Sequence, residues 1–227
     1  MRLRTSLYIE SQGEHILIDP GPDFRTQCLQ HHITQIDTFL ITHPHHDHIG
    51  GLDDTRAIYY AMNKKPLQLF AETFTLDGIY HHYDYLFPRH GNSQYHGAPQ
   101  AQLNEIMVYK HFKSQNNTIL PLRVWHGDMP VTGFRIGHLV YLTDVKTVPD
   151  ETIKNIKSTD ILILGVLQRE PHNLHFNLNE ALEFINKTKA KITYLTHIGH
   201  RMGKHAILKK ELPPNVLPAY DGLELKI

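Results

Sequence analysis

Apolar and polar positions in the first third of the chain form short runs that predict strands joined by short connections. Residues 3–9 alternate, and a turn at Gly13 leads into the apolar run 15–19. The run 37–42 is compact and bounded by polar residues, which predicts a buried strand. Asp23 is a suitable first residue for a short helix carrying Phe24, Cys28 and Leu29.

Later runs repeat this rhythm and indicate a mixed sheet covered by helices, within one domain spanning residues 1–227. Residues 87–104 are polar and predict an irregular segment that is long for a compact domain. The predicted helices are 52–62, 72–86, 149–157 and 177–188. The predicted further strands are 66–71, 105–112, 117–125, 131–137, 138–143, 160–167, 191–196 and an edge strand at 223–227.

Composition narrows the class of protein. The 227 residues carry 23 Lys and Arg against 23 Asp and Glu, which argues against a generally basic nucleic-acid binder. A single cysteine, Cys28, excludes a disulfide framework within the chain and a zinc finger built from cysteines. No run approaches the roughly 20 apolar residues of a membrane span. The first residues lack the apolar core of a signal peptide, so the expected compartment is the cytosol.

Histidine is abundant, with 19 residues, and several of them cluster. The predicted strand 37–42 runs directly into Thr42-His-Pro-His-His-Asp-His-Ile-Gly-Gly51, with four histidines and one aspartate between positions 43 and 48. Imidazole nitrogen and carboxylate oxygen suit Zn, Mn or Fe(II). A solvated polar loop is the alternative, but the preceding buried strand and the His-x-His-x-Asp-His order favour a metal site.

This motif closely resembles the signature of the metallo-β-lactamase superfamily, and the rest of the chain matches in order. Val124-Trp-His126, Tyr141-Leu-Thr-Asp144 and Tyr194-Leu-Thr-His197 each follow an apolar run. The resemblance implies the αββα sandwich of that family, an α/β fold with two mixed β-sheets flanked by helices. It further implies two divalent metal ions, zinc or manganese with iron as an alternative. The implied ligands of the first ion are His43, His45 and His126; those of the second are Asp47, His48 and His197, with Asp144 bridging.

Other segments resemble the PhnP-like phosphodiesterase branch of the superfamily. These are Arg2-Leu-Arg-Thr-Ser, Leu17-Ile-Asp-Pro-Gly-Pro-Asp-Phe-Arg25, Gly50-Gly-Leu-Asp-Asp-Thr-Arg56 and Pro218-Ala-Tyr-Asp-Gly222. A true β-lactamase usually carries a cysteine ligand at the second metal, where this chain has aspartate and histidine. The resemblance therefore implies a phosphodiesterase acting on a small or cyclic phosphate ester, in which a metal-bound hydroxide attacks and Asp47 contributes to catalysis. It also suggests a homodimer.

Three alternatives remain open at this point. A ribonuclease Z-like tRNA 3′-processing nuclease shares the ligands, but the chain shows no clear candidate for its exosite arm or basic surface. Nucleic acid is therefore a less favoured partner than a small phosphate ester. A thioester hydrolase shares the metal core. The third alternative is a metal-binding protein without catalytic activity. It is considered because relatives begin with another strand and a cysteine-bearing zinc loop that precede the first residues of this chain. This chain starts at Met1-Arg-Leu-Arg, so the expected fold lacks that first strand.

A histidine outside the ligand set is expected to act as general acid. His175 matches the family motif best and could protonate the leaving alkoxide, and His172 is the alternative. The non-catalytic alternative is that His175 caps the following helix or lines its approach. His46 occupies the variable position of the motif. Asp19 and Asp221 could each orient a ligand imidazole or simply shape a turn.

The remaining histidines are mostly expected to be exposed. The alternative for those near residues 87–104 is a substrate rim, in which Arg89 and Tyr95 contact phosphate or sugar. The histidines in question are His81, His82, His90, His96 and His111. His200, Arg201 and His205 follow the last ligand and either help to bind an anion or are ordinary solvated residues.

Overall fold

The computed structural model describes residues 2–87 and 97–226, which form two compact units. The first unit comprises Leu3–Met107 and Phe112–Asn117, and the second comprises Arg2, Val108–His111 and the chain from Thr118 onward. Each unit is built around its own sheet and its own cluster of buried apolar side chains.

The first sheet is mixed. Its strands are β1 (Leu7–Ser11), β2 (Glu14–Ile18), β3 (Thr38–Leu40), β4 (Leu67–Ala71) and β5 (Ala101–Glu105), in that order. β1 pairs antiparallel with β2, whereas β2 to β5 are parallel. The helices of this unit are α1 (Phe24–Gln30), α2 (His46–Ile49), α3 (Thr55–Ala61) and α4 (Thr73–His82), with a 3-10 turn at Leu52–Asp54.

The second unit repeats the arrangement. Its strands are β7 (Thr118–His126), β8 (Met129–Ile136), β9 (Leu139–Leu142), β10 (Ile161–Gly165), β11 (Ile192–Thr196) and β12 (Val216–Pro218); the short strand β6 (Phe112–Lys113) precedes them in the chain. β7, β8 and β9 are antiparallel, and β9 to β12 are parallel. The helices are α5 (Asp150–Ile156), α6 (Leu178–Thr188) and α7 (His205–Glu211), with a 3-10 turn at His200–Met202.

These strands and helices form because apolar residues bury both faces of the central strands and one face of each helix. Every residue of β3, β9 and β10 is buried, as expected for strands covered on both sides. α6 begins with a capping box, in which Asn177 and Glu180 satisfy each other's main-chain N–H groups. Two mixed sheets flanked by helices are the predicted metallo-β-lactamase fold.

A buried carboxylate fixes the segment 112–117 in the first unit. Glu14 accepts hydrogen bonds from the Thr38 and Ser114 hydroxyls, at 2.6 and 2.8 Å. It also accepts from the main-chain N–H groups of residues 115, 116 and 117 and from the Asn117 side-chain amide. Burial alone would raise the pKa of Glu14, but these hydrogen bonds outweigh it and lower the pKa to about 2.

Several predicted elements are corrected by the structure. Residues 101–104, expected to be irregular, form β5 together with Glu105, and this strand pairs with β4. The predicted strand 105–112 is wrong over most of its length, because only its two end residues are in strands: Glu105 ends β5 and Phe112 begins β6. The edge strand at 223–227 is also wrong for residues 223–226, since β12 instead pairs with β11 at Thr193 and Val216. Helix α7 was not predicted.

No helix in residues 2–87 and 97–226 is both long and apolar enough to cross a membrane.

Candidate metal centre

The first unit brings together the histidines of the clustered motif. The His43 ring centroid lies 4.8 Å from that of His45 and 4.2 Å from that of His48. Asp47 Oδ2 lies 3.7 Å from His48 Nε2. Four of the predicted ligands therefore gather after the carboxyl end of β3, the edge at which parallel strands commonly present binding residues.

The local backbone explains this grouping. β3 leads into Thr42 and His43, both fully buried. His45 is extended, and the one-turn helix α2 begins at His46, so the motif is a turn of helix where a loop was expected. His46 is exposed, as its variable position in the motif predicted.

Asp19 orients two of these imidazoles. Its carboxylate accepts hydrogen bonds from the Thr42 N–H at 2.8 Å, the Thr42 hydroxyl at 2.7 Å and His48 Nδ1 at 2.8 Å. Because the Thr42 hydroxyl donates its one hydrogen to Asp19, it accepts from His43 Nδ1, 2.9 Å away. Both imidazoles thus carry hydrogen on Nδ1 and have the Nε2 lone pair available for a metal.

Asp19 makes the contacts that both predicted roles require. The residue follows β2 in a turn, with φ of +59°, and its fully buried carboxylate holds His48 directly and His43 through Thr42. The contribution of Thr42 was not foreseen, since a buried threonine at the end of a strand has no distinctive sequence signal.

The second unit gathers the other predicted residues around Asp144. Asp144 Oδ1 lies 3.5 Å from His175 Nδ1 and 3.5 Å from His197 Nε2. The His126 and His175 ring centroids are 4.3 Å apart. Ligand atoms of His126, Asp144 and His175 lie within 4.8 Å of one another, close enough to hold one metal ion.

Strand order explains why these residues meet. Asp144 and His197 follow β9 and β11, which run in the same direction. β7 also runs that way, because two antiparallel pairings separate it from β9, and it ends at His126. Asp144 and His197 adopt left-handed backbone conformations, with φ of +52° and +53°. The Thr143 hydroxyl donates to Asp144 Oδ2 at 2.6 Å.

The main chain at Leu174 contacts two histidines of this unit. Its carbonyl accepts a hydrogen bond from His126 Nδ1 at 2.8 Å. Its N–H donates to Nδ1 of His172 at 3.2 Å. Gly127, with φ of +61°, also lies next to this residue, and a Cβ there would be 2.7 Å from Leu174 Cδ2. No sequence pattern distinguishes such main-chain contacts in advance.

Burial sets the protonation of His175. It lowers the pKa of His175 to about 4, with neighbouring His126, His197 and His172 lowering it and Asp144 opposing the change. The imidazole is therefore neutral near pH 7, a form that suits either a metal ligand or a hydrogen-bonding group.

Other candidate residues fall into three groups. His81, His82 and His111 are exposed. Arg89, His90, Tyr95 and His96 lie outside the described residues. His205 accepts a hydrogen bond from Arg2 Nη2 at 2.8 Å, and His200 and Arg201 are exposed in a 3-10 turn; Asp221 lies in an exposed turn near the end of the chain.

The donor set of each unit fits a divalent metal. Imidazole nitrogens and carboxylate oxygens predominate. His43, His48 and His126 donate from Nδ1 to the Thr42 hydroxyl, the Asp19 carboxylate and the Leu174 carbonyl, so the Nε2 atom of each points away from its supporting contact. Such supports raise ligand basicity and fix ring orientation in metal sites.

Comparison with known proteins identifies the class. The family described as "Beta-lactamase superfamily domain" matches residues 14–198, so the chain belongs to the metallo-β-lactamase superfamily. A solved structure indicates its position within the superfamily. The structure is described as a new diphosphatase from the PhnP family, and this chain is 32% identical to it in sequence, with a TM-score of 0.90. That match covers 100% of this chain and 85% of the other, and the chain is PhnP-like.

Two further relatives differ in what they indicate. A protein named octanoyltransferase from Porphyromonas gingivalis (strain ATCC BAA-308 / W83) is 37% identical over 98% of this chain. The chain spans only 44% of that relative's length. The short form of human tRNase Z has a TM-score of 0.72, at 19% identity over 97% of this chain and 91% of that one, which shows a shared fold.

Proposed function

We propose that this chain is a dinuclear-metal phosphodiesterase acting on a small or cyclic phosphate ester. The observation that carries the proposal is the grouping of His126, Asp144, His175 and His197 in the second unit. The 32% identity to a PhnP-family diphosphatase supports phosphoryl chemistry as the use of that grouping.

The proposed ligand set uses residues of both units. In this proposal His43, His45 and His126 would hold one ion, Asp47, His48 and His197 would hold the other, and Asp144 would be a ligand common to both. Two divalent ions against two carboxylates leave a net positive charge, which favours an anionic substrate. When bound, such ions stabilise negative charge developing on phosphorus and supply a nucleophilic water near neutral pH.

Protein side chains then contribute binding and proton transfer. His175 is proposed to protonate the oxygen of the leaving group. Since burial lowers its pKa to about 4, this role requires that Asp144, 3.5 Å away, and the bound anionic substrate raise that pKa. Asp19 and Thr42 hold His43 and His48 in the orientation that ligation requires. Asp47 is one-third exposed, where a ligand can also contact solvent or substrate.

A diphosphatase is the second candidate, because that is the activity named for the relative with 32% identity. A nuclease of the tRNase Z type rests on fold alone. A role related to octanoyl transfer is weakened by coverage, since more than half of that relative lies outside the match.

Metal analysis and substrate assays would test the proposal. Metal content is measured first. Manganese- and zinc-loaded protein is then assayed on cyclic ribose phosphates, linear phosphodiesters, a diphosphate, pre-tRNA and an octanoyl thioester. We expect turnover of a phosphodiester that is lost in Asp47→Ala and kept in Asp53→Ala, an exposed carboxylate of the same unit. Two bound metals without phosphodiester turnover would overturn the proposal.

A further inference from the structure

We propose that His172 binds the substrate by donating a hydrogen bond from Nε2 to an anionic phosphoryl oxygen. This inference rests on the proposed function and adds a substrate-binding residue to it. The role differs from that of His175, because it involves holding the phosphate group and no transfer of a proton.

The main chain at residue 174 sets opposite tautomers on two histidines. The Leu174 carbonyl can only accept, so His126 carries its hydrogen on Nδ1 and its lone pair on Nε2. The Leu174 N–H can only donate, so His172 uses its Nδ1 lone pair and carries its hydrogen on Nε2. One residue therefore makes His126 a metal ligand and His172 a donor.

The position of His172 suits a substrate contact. Its ring centroid lies 5.0 Å from that of His175, which lies 4.3 Å from that of His126. Within residues 2–87 and 97–226, no protein atom accepts a hydrogen bond from His172 Nε2. The side chain is half-buried, so a ligand can reach this donor.

The chemistry of this donor favours a phosphoryl oxygen. With its Nδ1 lone pair engaged, His172 has no second lone pair with which to bind a metal or accept a proton. A hydrogen bond to an anionic oxygen is stronger than one to a neutral acceptor, so the Nε2–H group would discriminate in favour of phosphate.

Two substitutions separate the two nitrogens of His172. In His172→Asn the amide oxygen can replace Nδ1 as acceptor for the Leu174 N–H, but no donor remains at the Nε2 position. In His172→Gln the amide nitrogen can replace the Nε2 donor, whereas the Nδ1 contact is lost. A structural role would therefore be rescued by asparagine, and a substrate-binding role by glutamine.

Calorimetric titration of metal-loaded protein with inorganic phosphate measures binding without turnover. We expect Asn and Ala variants to bind phosphate about tenfold or more weakly, the loss of one charge-assisted hydrogen bond, and the Gln variant to stay within about threefold of wild type. Metal content should be unchanged. Wild-type affinity in His172→Asn, equal losses in Gln and Ala, or no phosphate binding by the wild type would overturn the inference.

Nitrogen NMR of the metal-free protein provides a second readout. We expect the Nε2–H tautomer for His172 and the Nδ1–H tautomer for His126, and the reverse assignment for His172 would reject the argument. The proposed function can fail separately from this inference. If the Asn and Gln variants bind phosphate as expected but the protein hydrolyses no phosphodiester, the proposed phosphodiesterase activity is rejected and the role of His172 in phosphate binding stands.

Discussion

Asp19 and Asp144 are both buried aspartates with left-handed backbone conformations, yet they have different neighbours. The Asp19 carboxylate accepts three hydrogen bonds, two from Thr42 and one from His48. Asp144 Oδ1 instead faces His175 and His197 at distances beyond a strong hydrogen bond. Their contacts therefore suit a positioning role for Asp19 and a metal-binding role for Asp144.

Replacing Asp19 with asparagine should weaken metal binding without removing a ligand. The asparagine amide would place N–H groups against the Thr42 and His48 donors that now contact the carboxylate. His48 would then lose its fixed orientation directly, and His43 would lose it through Thr42. Loss of a supporting carboxylate typically costs 10- to 100-fold in metal affinity, and we expect about that loss, measured by competition with a chelator. Asp53→Asn, which alters an exposed carboxylate, serves as control. Unchanged affinity in Asp19→Asn would contradict the positioning role.

Removing the His175 imidazole should separate metal binding from catalysis. In His175→Ala we expect normal metal content and a loss of about 10²- to 10⁴-fold in kcat on an alkyl phosphodiester, the usual size of a general-acid contribution. The loss should be smaller for a nitrophenyl ester, whose leaving group needs no proton. His81→Ala, at an exposed histidine of α4, is the matched control. An unchanged kcat on the alkyl ester would reject the role of general acid.

At this scale the sequence predicts which candidate ligands come together better than it predicts the residues that hold them in position. Histidine and aspartate at the ends of apolar runs carry a recognisable pattern, and the structure gathers them within each unit. Thr42 and the main chain of Leu174 carry no such pattern, because their roles depend on contacts with residues 23 and 48 positions away. The joint binding of two metals by residues of both units stays a prediction.

Among the elements, strand ends matter more than strand interiors for the site. β3, β7, β9 and β11 each end at or shortly before a predicted ligand. The runs that form them are short and apolar, and for that reason they were predicted closely. Helix α2 was expected to be a loop, since a single turn of helix is too short to show periodicity.

The mispredicted elements have a common physical cause. Residues 101–105 and 216–218 form strands because β4 and β11 offer unpaired edges. Their own sequences do not alternate clearly, whereas residues 223–226 alternate and do not pair. Pairing with a neighbouring strand thus overrides local pattern at the margins of both sheets.

Glu14 provides a test of how one side chain fixes an element. Glu14→Gln places N–H groups against the N–H donors of residues 115–117, so we expect the free energy of unfolding to fall by about 1–3 kcal/mol at pH 7. Urea unfolding measures this value.

Acid should narrow the difference between Glu14→Gln and the wild type. The folded-state pKa of Glu14, about 2, is below its ordinary value of 4.5, so its stabilisation is complete above pH 4.5 and is lost as the pH falls towards 2. Glu10→Gln, in the exposed part of β1, is the control. A difference that does not change with pH would show that Glu14 does not act through its charge.

For the whole molecule, each unit has its own buried core and its own group of histidine and aspartate side chains proposed to hold metal. Metal that binds only the folded chain must raise its stability. At 100 times the dissociation constant the gain is about 2.7 kcal/mol, or roughly 5–10 °C in Tm for a chain of this size. Calorimetry with manganese or zinc, reversed by a chelator, tests this.

A variant at Asp144 distinguishes the candidate centre from metal bound elsewhere. In Asp144→Asn the rise in Tm on adding metal should shrink, because the amide has lost the negative charge shared by both proposed ions. Asp160→Asn, a carboxylate paired with Lys191 at the surface of the same unit, should keep the full rise. An equal rise in both variants would mean that the stabilising ion lies outside the candidate centre.

The left-handed conformations of Asp144 and His197 also bear on engineering. Each costs on the order of 1 kcal/mol for a residue with a side chain, and glycine would adopt it freely. A laboratory selection for heat resistance alone, run without metal, would therefore favour glycine at these two positions and remove two of the proposed ligands. Selection for heat resistance in this protein needs metal in the medium throughout.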